Sequence, residues 1–323
     1  MINKEIKVKW GVLGYARIAR TSVIPAINRT DNSEFYALAS RDQAKLNECR
    51  SEFNCPKLYD NYEKLLDDPE VQAVYIPLPN SMHKEWAIKA MDKGKHVLCE
   101  KPLALTESEA KEMLEAAARN RVLLMEAFMY RYTDRTKKVQ EILAGGEIGQ
   151  IKYINSTFRF FLNRANTIKI QPELGGGSLY DVGCYPVNFV GMVTDSLPES
   201  YSAEFALENG VDMIFSAALR YSSGIVATIN SGFNSFWEMR SEVIGTKGRL
   251  EIPDTFMGEA GMINVITDSG IRQAPVAESD RYSLEVADFA AAVLNGGKPL
   301  LGLDESLRNI RVIERLLELI HNK

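Results

Sequence analysis

Val8-Lys9-Trp10-Gly11-Val12-Leu13-Gly14-Tyr15-Ala16-Arg17-Ile18-Ala19 reads as a β-strand that runs through a glycine turn into a helix. A dinucleotide needs that order, because its pyrophosphate sits against free backbone N–H groups at the positive end of a helix and glycine lets it come close. The usual G-x-G-x-x-G/A spacing is here Gly14-x-Ala16-x-x-Ala19, and Ala16 adds a methyl group where phosphate would lie. Taken alone the motif fits a plain strand-helix turn equally well, so the chain around it has to decide.

Outward from this turn, short β-branched runs alternate with helical patterns. Strands are expected at 7–13, 34–40, 57–59, 71–76, 96–99 and 122–125, with helices at 18–28, 42–53, 62–66, 81–93 and 107–120. Strand-crossover-strand units of this kind build a parallel, doubly wound sheet. After Met125 the pattern changes. A helix over 133–143 ends at Gly145-Gly146, and alternating strands follow at 150–160, 201–208, 212–221, 224–231, 239–244 and 249–252. Ser222-Ser223-Gly224 and Thr246-Lys247-Gly248 read as hairpin turns. One helix, 178–192, interrupts the strands directly after Gly175-Gly176-Gly177, and two more close the chain at 282–294 and 304–321. The last shows an apolar stripe at Ile310, Ile313, Leu317 and Ile320. The expected fold class is therefore α/β: a Rossmann dinucleotide-binding domain over 1–125, then an α+β domain over 126–302 with a mostly antiparallel, open-faced sheet of five or six strands. Residues 303–323 are expected to form a C-terminal helix packing back near the domain interface.

Composition narrows the function. The 323 residues carry 38 Lys and Arg against 43 Asp and Glu, a formal net charge of -5, with the basic residues scattered. No basic field exists for a phosphate backbone, so nucleic acid is not an expected partner. No apolar run reaches bilayer length and the first ten residues lack the apolar core of a secretory signal, so no membrane is expected and the cytoplasm is the expected compartment. Cys49, Cys55, Cys99 and Cys184 form no CxxC pair and are not joined by a histidine cluster, which excludes a zinc-type metal site from the reading.

Two further stretches bear on the glycine turn. NAD-specific sheets place an acidic residue at the end of the second strand to accept the ribose hydroxyl, and here Ser40-Arg41 stands instead. A hydroxyl and a guanidinium suit a 2′-phosphate, so NADP(H) is the expected cofactor, with NAD(H) possible. Tyr75-Ile76-Pro77-Leu78-Pro79-Asn80-Ser81-Met82-His83 and His96-Val97-Leu98-Cys99-Glu100-Lys101-Pro102 each leave the carboxyl end of an expected parallel strand, where open α/β sheets hold ligands. At these residues the chain resembles the glucose–fructose oxidoreductase, inositol dehydrogenase and rhizopine catabolism (Gfo/Idh/MocA) family. The resemblance runs through Glu100-Lys101-Pro102, Glu126-Ala127-Phe128-Met129-Tyr130-Arg131, Gly145-Gly146-Glu147-Ile148-Gly149 and Gly175 to Pro186. Tyr185 is similar to the glucose–fructose oxidoreductase and dihydrodiol dehydrogenase branch, since the inositol dehydrogenase branch carries histidine there. What the resemblance implies is an NAD(P)-dependent dehydrogenase or reductase acting on a polyhydroxy or carbonyl small molecule. The large half-covered sheet of the C-terminal domain is expected to bury itself against a copy of the chain, as a homodimer or homotetramer.

The residues support such chemistry. Asp181 and Tyr185 are four apart on one expected helix and share a face. A proline after Lys101 biases that residue to extended backbone, which fixes where its amine points. Hydride transfer at a carbinol carbon needs a partner for the hydroxyl proton, and a phenol becomes a competent base when a cation stabilises its phenolate. Tyr185 is thus the candidate general acid/base, Lys101 its assistant, and Asp181 an acceptor for a neighbouring substrate hydroxyl or an orienter of Lys101; the family leaves direct proton delivery by the lysine open. The expected cofactor-binding set is Gly14, Ala16, Arg17, Ile18, Ser40, Arg41, Pro77, Leu78, Asn80, His83, Glu100, Lys101 and Arg131, and the substrate set Asn163, Arg164, Asp181 and Tyr185, with Arg159 a further candidate. His83 reads equally as a cofactor contact or a helix cap. A non-catalytic NAD(P)-binding regulator and a lyase that oxidises its substrate transiently are the rival classes.

Overall fold

The computed structural model describes residues 6–163 and 167–321. By contact the chain forms two compact units, one holding residues up to Met129 together with Arg281–Ser306, the other Tyr130–Asp280 and the residues from Leu307 on. The segment 281–306 thus goes with the first unit, whereas the expected bounds put 281–302 in the second domain and 303–306 in the C-terminal helix.

In the first unit β1 (Val8–Leu13), β2 (Ser33–Ala39), β3 (Lys57–Tyr59), β4 (Ala73–Ile76), β5 (His96–Glu100) and β6 (Leu124–Ala127) form one sheet in the order β3-β2-β1-β4-β5-β6. Every pairing is parallel. Both faces are covered, so the central strands read as continuous apolar runs without alternation, as in the wholly buried Ala73-Val74-Tyr75-Ile76. Strand order reverses between β1 and β4, and the crevice outside their carboxyl ends is where such sheets bind ligands. The helix Arg281–Asn295 closes onto this sheet: Phe289 lies 5.4 Å from the Trp10 ring, and Asn32 donates its side-chain amide to the Ala287 carbonyl at 2.9 Å. Its glutamate, Glu285, is consequently buried.

The second unit is built on β7 (Ile151–Phe161), β8 (Ser200–Glu208), β9 (Val211–Arg220), β10 (Val226–Gly232), β11 (Asn234–Gly245), β12 (Gly248–Pro253), β13 (Gly261–Thr267) and β14 (Gly270–Val276). Their order is β14-β13-β12-β11-β7-β10-β9-β8, antiparallel except for the parallel β7–β10 pair. Eight strands replace the expected five or six. The missed β13 and β14 form an edge hairpin turning at Gly270 (φ 121°), and an edge strand accommodates Pro275 and exposed polar residues that blur the alternation. β11 starts five residues earlier than expected because its register shifts between Asn234 and Glu238, which breaks the period of two. The helix Cys184–Thr194 lies against β7 and β10. In the C-terminal helix Leu303–His321 the buried side is Asn309, Ile310, Val312, Ile313 and Leu316, with Leu317 and Ile320 half-buried, so the stripe is rotated from the expected one.

Candidate active site

The first unit supplies a phosphate-sized cradle. At the end of β1 the backbone turns at Gly14 with φ 94°, and its N–H donates to the Ala39 carbonyl at 2.8 Å. A Cβ on Gly14 would stand 3.0 Å from Leu78 Cδ2, so glycine is demanded by conformation and by space. Helical backbone begins at Arg17, with Arg20 N–H bonded to the Ala16 carbonyl at 3.1 Å. Amides of a first helical turn have no partner within their own helix, and with Ala16 and Ile18 half-buried and Arg17 exposed this end is open to a ligand. The residues present fit a dinucleotide pyrophosphate.

At the end of β2 Ser40 is buried and its hydroxyl accepts the Asp42 N–H at 3.2 Å. Asp42 spends its carboxylate as the cap of the helix Gln43–Phe53, accepting from the Ala44 amide at 2.9 Å. Arg41 is exposed, its guanidinium carbon 6.0 Å from the centre of the Tyr62 ring. The nearest acidic side chain is therefore turned onto a helix while the cation faces outward.

The two loops at β4 and β5 are braced against each other. His83 has no exposed surface: Nδ1 lies 2.8 Å from the Pro102 carbonyl and Nε2 2.9 Å from the Leu78 carbonyl. Both ring nitrogens are thus engaged by backbone, and His83 braces the loop after β4 against the loop after β5. Pro77 and Leu78 are likewise buried, Asn80 is half-buried at the start of a short 3₁₀ turn, and Lys101 is half-buried before a cis Pro102. Glu100 accepts from the Tyr75 hydroxyl (2.6 Å) and from the Lys101 N–H (3.3 Å), which ties the lysine's backbone to a fully buried phenol. Burial pushes the Glu285 carboxyl well above the usual carboxylate range, with the charge of Glu100 adding to it.

The second unit carries Asp181 and Tyr185 on a helix that opens with a π turn, Leu179–Gly183, before Cys184–Thr194. The first unit's glycine-turn helix opens the same way at Ala19–Val23, and π turns are enriched at functional sites. Tyr185 is 3% exposed, its ring set among Tyr130 (6.0 Å between centroids), Phe158 (5.4 Å) and Phe256 (5.4 Å). Such a cage leaves the ring one orientation. Asp181 is ion-paired with Lys169, a residue the sequence reading did not single out. Asp212 on β9 anchors the helix start, accepting from the Ser178 hydroxyl at 2.6 Å and the Leu179 N–H at 2.8 Å. A Cβ on Gly177 (φ 115°) would fall 2.3 Å from Asp212 Oδ1, and one on Gly176 would fall 2.8 Å from the carbonyls of Lys169 and Gln171. The glycine run therefore serves close backbone packing. Arg131, expected beside the cofactor, is 6% exposed and reaches Asn188 Oδ1 at 3.4 Å inside the second unit. Arg159 pairs with Glu238, Asn163 is exposed, and Arg164 lies outside the described residues. The described residues contain no group of three or more metal-binding side chains and no helix long and apolar enough to cross a membrane.

A parallel sheet with this glycine cradle, in a chain that also builds a large antiparallel sheet, defines an oxidoreductase of the Rossmann class. Residues 8–128 match the family described as "Oxidoreductase family, NAD-binding Rossmann fold" and residues 136–251 match the "GFO/IDH/MocA C-terminal domain". The chain belongs to the Gfo/Idh/MocA family. Among curated relatives it is similar to D-xylose 1-dehydrogenase (NADP(+)) 2 of Haloferax volcanii, 37% identical with 96% of each chain covered, and to trans-1,2-dihydrobenzene-1,2-diol dehydrogenase of Xenopus laevis, 34% identical over 79% of this chain and 78% of that one. Among solved structures it is similar to KijD10, a 3-ketoreductase from Actinomadura kijaniata in complex with NADP and TDP-benzene: TM-score 0.92, 28% identity, 97% of each chain. Solved variants of that ketoreductase replace one lysine by alanine or glutamate and one tyrosine by phenylalanine. The two replaced residues stand as far apart along that chain as Lys101 and Tyr185 do here.

Proposed function

We propose that the protein is an NADP(H)-dependent oxidoreductase acting on a hydroxyl-bearing or carbonyl carbon of a sugar, polyol, dihydrodiol or related compound. When bound, the nicotinamide supplies or accepts the hydride. Gly14, Ala16, Arg17 and Ile18 hold the pyrophosphate at the helix start, and Ser40 and Arg41 take the 2′-phosphate. Tyr185 gives or takes the proton of the reacting hydroxyl. Lys101 binds the same oxygen, and its ammonium makes the phenolate accessible near neutral pH. Asp181 accepts a hydrogen bond from a neighbouring hydroxyl.

The observation that carries this reading is the caged Tyr185 ring one turn beyond Asp181. A general acid/base must be aimed before the substrate arrives, and three aromatic neighbours aim this one. The NADP-named relative and the NADP complex of the ketoreductase support the cofactor, and the sugar and diol names of the relatives support the substrate class. We also propose self-association through the sheet of the second unit. Nicotinamide absorbance followed over aldoses, ketosugars, inositols, dihydrodiols and dicarbonyls, with NADP(H) and NAD(H) in turn, tests the function. Turnover of a polyhydroxy or carbonyl substrate that favours NADP(H) is expected; tight cofactor binding with no turnover across the panel contradicts it.

A further inference from the structure

We propose that Lys169 is a specificity-determining residue: with Asp181 it forms a clamp for the hydroxyl on the carbon next to the one that reacts. The inference rests on the hydride-transfer reading, because Tyr185 is what marks the reacting carbon.

Four features of the chain converge on placing this one ammonium. Gly177 N–H donates to the Lys169 carbonyl at 2.8 Å, and Gly176 leaves no room for a side chain between its own backbone and the Lys169 and Gln171 carbonyls. Thr167 caps the short turn Ile168–Ile170, its hydroxyl accepting the Lys169 N–H at 3.4 Å. The Lys169 ammonium rests 5.6 Å from the centre of the Phe160 ring and 6.0 Å from that of Phe233. Its ion-pair partner is Asp181, four residues before Tyr185.

An ion pair contributes little to stability when solvated, and partial burial adds a desolvation cost. This pair is partly buried, with side chains 34% and 18% exposed, so stability alone does not explain why a tight glycine turn is bent around it. Chemistry does. A hydroxyl both donates and accepts. Beside a carboxylate and an ammonium already in contact, its O–H goes to Asp181 while its lone pair takes an N–H of Lys169. An ammonium has three N–H donors, and among the described residues Asp181 is the only hydrogen-bond acceptor of this one. The aromatic faces of Phe160 and Phe233 hold the amine in place by cation–π attraction, so the clamp is set before a ligand arrives. The clamp selects substrates that keep a hydroxyl adjacent to the reacting carbon, since a site built around polar groups penalises the analogue that lacks the partner.

The test uses the full-length protein saturated with NADP. Equilibrium dissociation constants for D-glucose and 2-deoxy-D-glucose are measured for the wild type, Lys169→Met and Lys169→Arg. Methionine keeps the aliphatic packing on the two rings and removes the charge. In the wild type, loss of the C2 hydroxyl should weaken binding about tenfold or more, the scale of a hydrogen bond to a charged group. In Lys169→Met the two sugars should bind within about twofold of each other, and Lys169→Arg should restore most of the discrimination. Equal discrimination in Lys169→Met and the wild type, or a wild type that does not distinguish the sugars, overturns the proposal. Turnover on the same samples reports on the hydride reading by itself. An intact wild-type ratio without turnover removes the reaction and leaves the clamp; turnover with a ratio indifferent to Lys169 removes the clamp and leaves the reaction.

Discussion

His83 meets two carbonyl oxygens, and a neutral imidazole has one N–H to offer. Full burial pushes its pKa below the usual histidine value, and the Lys101 charge pushes the same way, so the ring stays neutral where a free histidine takes a proton. The sign follows: between the depressed folded pKa and the ordinary unfolded one the unfolded chain binds more protons, so stability falls as pH drops below about 6.5. Denaturant titrations of the wild type and His83→Phe at acidic and neutral pH should show that acid-dependent loss in the wild type and its removal in the variant. The variant should lose roughly 1–3 kcal/mol at neutral pH from the carbonyl contact given up. An unchanged pH dependence would place the acid sensitivity elsewhere. At the other end of the crevice, Arg41→Ala should lower the NADP-over-NAD ratio of kcat/KM roughly tenfold, as one charge-assisted contact is lost; an unaltered ratio would remove Arg41 from cofactor choice. The turn at Gly14 was legible in the sequence because its positive φ belongs to the local strand-to-helix junction. His83, Glu285 and Lys169 were not, because their roles depend on Pro102, Glu100 and Asp181, which reach them only through the fold.

The helix bearing Asp181 and Tyr185 starts at a carboxylate borrowed from β9. Burial raises the Asp212 carboxyl from 3.8 to about 6, against the hydrogen bonds from Ser178 and Leu179 that favour its ionised form. A raised acid pKa means that the folded protein holds the proton more tightly than the unfolded chain. Stability from this group therefore declines as pH rises from about 4 to about 6, by up to about 3 kcal/mol. Asp212→Asn should flatten that part of the stability profile in calorimetry and lower kcat more than it raises KM, because the helix aiming Tyr185 loses its anchor. A profile that keeps its slope would assign the proton to another group. At this scale the sequence reads well wherever one face of an element is buried, as in the helices Tyr62–Leu66 and Glu107–Asn120, whose expected bounds match to the residue. It read poorly where local geometry breaks the period: the irregular register of β11, the edge hairpin of β13 and β14, and the π turn over Leu179–Gly183.

At the scale of the molecule, the sheet of the second unit leaves Phe161 67%, Phe236 90% and Trp237 49% exposed on β7 and β11, and exposed large apolar side chains of this kind mark interaction surfaces. Sedimentation should find a dimer or tetramer, and Phe236→Glu with Trp237→Glu should release monomer; a wild type that is monomeric at micromolar concentration contradicts self-association through this face. In the proposed mechanism Lys101, which belongs to the first unit, and Tyr185, which belongs to the second, act on one substrate oxygen. Groups that act on one oxygen are strongly non-additive when removed. The direct measurement is a cycle of single-turnover rates for the wild type, Lys101→Met, Tyr185→Phe and the double variant, with NADP(H) saturating. Each single change should slow hydride transfer about 100-fold or more, and the double variant should be no slower than the worse single one by more than about threefold. Rates that multiply, or a Tyr185→Phe variant close to wild type, would mean that the amine and the phenol do not share a substrate oxygen.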